Sequence, residues 1–299
     1  MSRIKQIKTF KTIGGKVRLL VTLLPIIDYV FRKMETRGFL DLFGGGNKFI
    51  PQISRFIPVR IYNEFDRGIA NLMACLANWG KTREVIDLAY KLRKTIKTQQ
   101  DFDKANEKRR LKETTEIESA ALTILIAEYS RAADRTNFMD ENARKGISYR
   151  SLQCYKELVP IMREVTVTCG SYDYYFKTYG HRSDFLCLVD PPYVNSDIYL
   201  DGFTKEDHEE MVRLIVDTKM KVILCGTDND IYDFLLESSC GWYKYTLGDM
   251  QKSSAARTGA AQEEFIWTNF PIPSYLLPKQ RKKQPFTQST QSTQSTGII

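Results

Sequence analysis

The apolar run Phe185-Leu186-Cys187-Leu188-Val189 ends in Asp190-Pro191-Pro192-Tyr193, and no other junction constrains the fold as much. Five consecutive apolar residues without alternation read as a strand buried on both faces, the pattern of a parallel sheet covered by helices. Two prolines then stop the ladder, because proline has no N–H to donate and its φ is fixed. An α/β chain is therefore expected, with a rigid acidic turn at the carboxyl end of an inner strand. Taken alone, the tetrapeptide also reads as an ordinary proline turn after a strand.

The chemistry of the four residues is more specific than their geometry. A carboxylate, two prolines and an aromatic ring form a pocket for a flat polar ring that carries an exocyclic amine. Such an amine is a poor nucleophile, since its lone pair is delocalised into the ring. Asp190 can supply a carboxylate oxygen and Pro191 a backbone carbonyl, two acceptors able to hold both N–H groups and push the nitrogen towards tetrahedral geometry. Tyr193 can stack on the base. These features point to methyl transfer onto an amino group of a nucleobase, with catalysis by alignment and preorganised electrostatics.

Three upstream segments, in order, support a nucleotide-like ligand. Thr12-Ile13-Gly14-Gly15-Lys16 pairs glycines that admit close backbone approach with a cation; it also reads as a loop before a helix. Gly38-Phe39-Leu40-Asp41-Leu42-Phe43-Gly44-Gly45-Gly46-Asn47 is an apolar strand running into a glycine cluster, as at the end of the first strand of an open α/β sheet. A flexible turn would look similar. Val59-Arg60-Ile61-Tyr62-Asn63-Glu64 is a strand ending in an acid about twenty residues after that turn, where an acid accepts from ribose hydroxyls.

With these segments in place, the chain resembles the Dam-like DNA adenine-N6 methyltransferases, in the alpha arrangement of motifs. Thr12 to Lys16 is similar to that family's W-x-G-G-K segment, and Phe39 to Asn47 to its F-x-E-P-F-x-G-x-G segment. Asn63-Glu64-Phe65-Asp66 resembles N-D-x-N, and Asp190 to Tyr193 is the family's DPPY unchanged. Phe203 to His208 resembles the acidic stretch after DPPY, and Glu264 to Phe270 resembles E-x-L-I-x-N-Y. Three positions depart: Thr12 replaces an aromatic residue, Asn47 a last glycine and Glu64 an aspartate.

The resemblance implies a Rossmann-like, seven-stranded class I methyltransferase sheet with an inserted helical target-recognition subdomain. It implies S-adenosylmethionine as cofactor, held by Thr12, Lys16, Asp41, Phe43, Gly45, Glu64 and Asp190. Asp190, Pro191, Pro192 and Tyr193 would be the catalytic set. Expected boundaries are 8–78 and 164–278 for the catalytic domain, 79–163 for the insertion and 279–299 for a disordered tail. The tail carries a basic cluster and a Thr-Gln-Ser repeat, a composition unable to build a core.

Composition adds bounds. A net charge of +8 fits a polyanionic partner, here double-stranded DNA. Much of it is crowded between Lys91 and Lys112, a block that reads equally as a phosphate track or as one solvated face of long helices. Arg131, Arg135, Asn137, Asn142, Arg144 and Lys145 are candidates to reach bases or phosphates. Six cysteines and two histidines show no metal-ligand spacing and no CxxC pair, so reduced thiols in a cytoplasmic protein without a metal are expected. No apolar run is long enough to span a bilayer, and the N-terminus lacks a secretory h-region.

Helical periodicity covers Arg67 to Leu92, Leu111 to Tyr129, Leu152 to Val165 and Lys205 to Thr218. Trp242 to Leu247 and Glu264 to Phe270 read as a final antiparallel pair. The small-residue loop from Lys252 to Ala261, with Arg257, lies between them. A restriction endonuclease is a candidate partner for such an enzyme. Two other functions use the same residues: an RNA or protein amino-methyltransferase, and a catalytically silent DNA-binding protein of this fold.

Overall fold

Residues along the inner strands sort between two hydrophobic layers. Phe39, Leu186, Leu188 and Ile223 pack into one, and Leu40, Cys187, Val189 and Leu224 into the other. This is the period-two geometry of strands with both faces covered. The structure, a computed structural model, describes residues 9, 17–53, 57–130, 135–139, 147–194, 202–238, 241–251 and 261–278. The segment Thr12 to Lys16, the loop from Lys252 to Ala260 and the tail beyond Pro278 lie outside the described residues.

Helix α1 (Val17–Lys33) precedes β1 (Gly38–Asp41) and β2 (Val59–Asn63). Then come α2 (Arg67–Cys75), α3 (Trp79–Leu92), α4 (Gln99–Lys108), α5 (Glu116–Tyr129), α6 (Tyr149–Leu152) and α7 (Val159–Met162). The chain returns to the sheet with β3 (Thr166–Thr168), and α8 (Tyr172–Tyr179) leads to β4 (Phe185–Val189). It ends with α9 (Lys205–Val216), β5 (Lys221–Thr227), α10 (Asp230–Ser238), β6 (Tyr243–Gln251) and β7 (Ala261–Thr268).

The seven strands lie in the order β3-β2-β1-β4-β5-β7-β6. Pairings from β3 to β5 are parallel, and β7 is antiparallel to both β5 and β6. This is the expected seven-stranded methyltransferase sheet, closed by the expected antiparallel pair. Strand order runs outward from β1 in one direction through β2 and β3, and in the other through β4 and β5. The β1–β4 junction is therefore the topological switch point, where such sheets open a crevice at their carboxyl ends. Asp41 pairs with Leu188 across that junction, which sets Asp190 just beyond the end of β1.

Caps decide where the helices begin. The periodic run from Arg67 to Leu92 is two helices, because the Asn78 side chain accepts from Lys81 N–H and starts α3 anew. The run expected from Leu111 begins only at Glu116, capped by Thr115. Leu152 to Val165 is broken by a 3₁₀ segment, Gln153–Leu158. Inside the basic block, Thr98 and Asp101 form a capping box that starts α4.

The block is not one solvated face throughout. Lys91, Lys94, Lys97 and Lys104 are exposed, but Arg109 is fully enclosed and grips Asp66 with two hydrogen bonds, Nη1 to Oδ1 at 2.6 Å and Nη2 to Oδ2 at 2.8 Å. Asp66 in turn caps α2, accepting from Ile69 N–H. A Cβ on Gly68 would lie 2.4 Å from Arg109 Nη1, so glycine there keeps the channel for the guanidinium open. Burial alone would raise the Asp66 carboxyl, but the Arg109 charge and hydrogen bonds outweigh it and hold it well below the usual carboxylate range. The pair fastens the strand-end turn to the carboxyl end of α4.

Removing one member leaves a buried, uncompensated charge. Arg109→Met is expected to cost about 3–5 kcal/mol of stability, read by urea unfolding. A loss below about 1 kcal/mol, the range of an exposed pair, would show that α4 is not held by this contact.

Candidate active site

The loops that follow β1 and β2 are locked together before any ligand arrives. Asn63, the last residue of β2, donates through Nδ2 to Leu42 O at 3.0 Å and to Gly170 O at 2.9 Å. Its Oδ1 accepts from Gly170 N–H at 3.0 Å. One buried side chain thus ties the carboxyl ends of β1, β2 and β3.

Glu64 adds the second tie. Its Oε2 accepts from Gly45 N–H at 2.8 Å, and its Oε1 from Asp66 N–H at 2.9 Å. The longer acid in place of aspartate thereby spans from the end of β2 to the glycine turn. In that turn, a Cβ on Gly44 would lie 2.1 Å from the Tyr62 ring, and Gly45 has φ of +48°, so both positions require glycine. Tyr62 Oη donates to Gly45 O at 2.7 Å. Asn47 also has a left-handed φ, +54°, a conformation that asparagine tolerates better than most residues with a side chain. Its amide is buried, with Nδ2 3.1 Å from Met162 Sδ. Conformation thus accounts for asparagine where a glycine was expected.

These turns enclose a cavity of about 250 Å³. Of the residues expected to bind a cofactor, Asp41, Phe43, Gly45, Glu64 and Asp190 all line it, together with Pro191, Pro192 and Tyr193. Thr12 and Lys16 fall outside the described residues. Four carboxylates, those of Asp41, Glu64, Asp190 and Asp207, border this one space. Burial foremost, then the charges of Asp190 and Glu64, push the Asp41 carboxyl well above its ordinary range. Burial, then Asp66, raises Glu64 too, partly offset by its two backbone N–H partners. Among the described residues Asp41 Oδ2 is buried without a hydrogen-bond partner. Two cations, Lys48 and Arg135, line the cavity against these four carboxylates, so the hollow is acidic on balance.

Several lining residues were not legible as site residues. Tyr172 and Phe203 join Phe43 in an aromatic wall, with ring centroids 5.4–6.5 Å apart. Tyr193 Oη donates a hydrogen bond to the buried carboxylate of Glu264 on β7. That bond joins two motifs 71 residues apart and holds the half-buried Tyr193 ring against the sheet end, not inside the core. Arg135, expected to reach DNA, instead lines the cavity with Nη1 3.2 Å from Asp66 Oδ2. Among the other expected DNA contacts, Asn137 is exposed, while Arg131, Asn142, Arg144 and Lys145 fall outside the described residues.

The Tyr193–Glu264 bond predicts a shared phenotype. Tyr193→Phe and Glu264→Gln should each lower kcat about 10- to 100-fold, the range of one hydrogen bond to a charged partner. The double variant should lose no more than the worse single one. Additive losses in this cycle would mean that the two side chains act separately.

Residues 13–244 match the family model described as D12 class N6 adenine-specific DNA methyltransferase. No curated protein matches the chain.

Proposed function

The chain belongs to the D12 class of N6 adenine-specific DNA methyltransferases, and on that premise we propose how its residues divide the work. The reaction moves a methyl group from S-adenosylmethionine to adenine N6 in DNA. The residues present suit that cofactor. The acidic hollow, with the unpartnered Asp41 Oδ2 at its edge, matches a cation, and the aromatic wall and glycine turn match a nucleoside. When bound, S-adenosylmethionine supplies a methyl group on positively charged sulfur. Asp41, Phe43, Gly45, Glu64 and Asp190, with Thr12 and Lys16, are the residues we assign to hold it.

Asp190 and the Pro191 carbonyl accept the two amine hydrogens of an extruded adenine. Their pull moves the N6 lone pair out of conjugation, and Asp190 is also the nearest acceptor for the proton that nitrogen sheds. Pro192 keeps the turn rigid and Tyr193 stacks on the base. Extrusion costs a few kcal/mol, which stacking and the amine hydrogen bonds offset. The observation that carries this reading is the convergence of Asp190, Pro191 and Tyr193 with Glu64 and the glycine turn on one cavity at the switch point.

Residues 79–163 are proposed as the target-recognition part, with 8–78 and 164–278 as the catalytic body and 279–299 as a tail. The exposed Lys91, Lys94, Lys97 and Lys104 support a phosphate contact by the insertion. Double-stranded DNA is the proposed form of the substrate, and a cognate restriction endonuclease the proposed counterpart, since a methylated site resists cleavage. A cytoplasmic setting accords with the free thiols of Cys75, Cys169 and Cys187. Among the described residues no helix is long and apolar enough to cross a membrane.

With methyl-labelled cofactor and duplex DNA, digestion to nucleosides should place the label in N6-methyldeoxyadenosine. Asp190→Ala should lower kcat at least about 10²-fold, as loss of one transition-state partner does, with the thermal transition unchanged. Label in RNA alone, or near-native turnover by the variant, would contradict the assignment.

A second outcome follows from the raised carboxyls. The ligand-free site keeps protons on Asp41 and Glu64 above their ordinary pKa values of 3.8 and 4.5. The ligand-free fold therefore loses stability as pH rises through the raised values. A cation in the hollow favours ionisation, so binding releases protons and weakens as pH falls through the same range. Calorimetry of sinefungin binding in two buffers of different ionisation enthalpy should detect that release, and Asp41→Asn should diminish it. Proton uptake on binding would contradict the electrostatic account.

A further inference from the structure

Arg135 has an arrangement that neither a phosphate contact nor a purely structural ion pair explains. Its backbone is left-handed, with φ of +60°, a conformation that a residue with a long side chain adopts at a cost and that persists only where the surroundings enforce it. Here they do. Asn106 Nδ2 on α4 donates to Arg135 O at 2.8 Å, and Gln99 Nε2 donates to Thr136 O at 2.9 Å. The side chain is turned inward, leaving the residue 9% exposed, whereas a phosphate contact requires exposure.

The ion pair with Asp66 does not account for this orientation either. Arg109 already engages both Asp66 oxygens in a bidentate grip. Arg135 adds a single, longer contact through Nη1. Its Nε is buried with no hydrogen-bond partner among the described residues, although Arg135 lines the cavity. A buried guanidinium N–H without an acceptor is costly, and an acceptor brought by a ligand would satisfy it.

Position indicates which part of the ligand. Arg135 contacts the Asp66 carboxylate at 3.2 Å, and Asp66 N–H in turn donates to Glu64 Oε1 at 2.9 Å. Arg135 thus belongs to the Glu64 end of the cavity. Phe65 and Ile69 border that same end and offer apolar surface to a base. We propose that Arg135 is a cofactor-binding residue contributed by the connection between α5 and α6, donating from its guanidinium to an acceptor atom of the adenosine half of the cofactor. The proposal rests on the reading of Glu64 as the ribose acid. In this arrangement Asp66 and Arg109 are positioning residues that hold the guanidinium in place.

The test compares two ligands, sinefungin and 5′-methylthioadenosine, the second of which lacks the amino-acid half. Calorimetric titration of Arg135→Met should show both weakened by a similar factor, about 10- to 100-fold for one charge-assisted hydrogen bond. Arg135→Lys, which keeps the charge but loses the planar fork, should recover only part. Unchanged affinity for both ligands with a raised KM for DNA would overturn the proposal and make Arg135 a DNA contact. Weakening of sinefungin alone would also overturn it, placing the contact at the amino-acid end. Glu64→Ala serves as the control: if it binds both ligands normally, the underlying ribose reading fails, independently of Arg135. Should the Arg135 variants not fold, a crystal structure of the wild-type chain with 5′-methylthioadenosine decides. An Arg135 nitrogen within hydrogen-bond distance of the nucleoside supports the proposal, and contacts to protein alone overturn it.

Discussion

The whole site depends on how the chain leaves β2. Asn63, Glu64 and Asp66 project from one short turn and bind three different parts of the fold. Asn63 closes the ends of β1 and β3, Glu64 holds the glycine turn, and Asp66 anchors the end of α4 through Arg109. None of these contacts is exchangeable for a generic polar one: the Asn63 amide donates to backbone carbonyls and accepts from a backbone N–H, the Glu64 carboxylate accepts from two backbone N–H groups, and the Asp66 carboxylate is gripped by a guanidinium. The turn converts a sheet edge into a rigid cradle before a ligand enters.

Rigidity of that kind is what this chemistry requires. An exocyclic amine gains nucleophilicity only when both of its hydrogens are held and its acceptor is aligned, so the acceptors must already be in place. The two prolines after β4 and the Tyr193–Glu264 bond supply fixed geometry on one side of the cavity. The Glu64 tie supplies it on the other. Between them lie Asp41 and Glu64, whose carboxyls burial and neighbouring charge raise above their ordinary range.

The inner strands were legible because each is a dense apolar run, and the final antiparallel pair because it follows its own pattern; their order in the sheet was not. The glycine turn and the acid after β2 were legible through their spacing. Long-range partners were not. Nothing local in Glu264 reveals that it holds Tyr193. A basic block does not disclose that one of its arginines, Arg109, is enclosed, since that depends on Asp66 and on the space left by Gly68, more than forty residues earlier in the chain. Helix breaks at Asn78 and Thr115 were hidden beneath continuous periodicity, because a capping side chain weighs little in a hydrophobic pattern. Arg135 was read as a DNA contact for its charge alone, whereas its left-handed backbone turns it inward.

The central claim is that one acceptor pair, the Asp190 carboxylate and the Pro191 carbonyl, grips the amine of an adenine drawn out of its duplex. A crystal structure of the chain with sinefungin and a duplex containing its target measures this directly. The account predicts adenine N6 within about 3 Å of both acceptors, with the Tyr193 ring stacked on the base. An adenine still paired in the duplex, or an amine bound by other side chains while Asp190 contacts only protein, would contradict it.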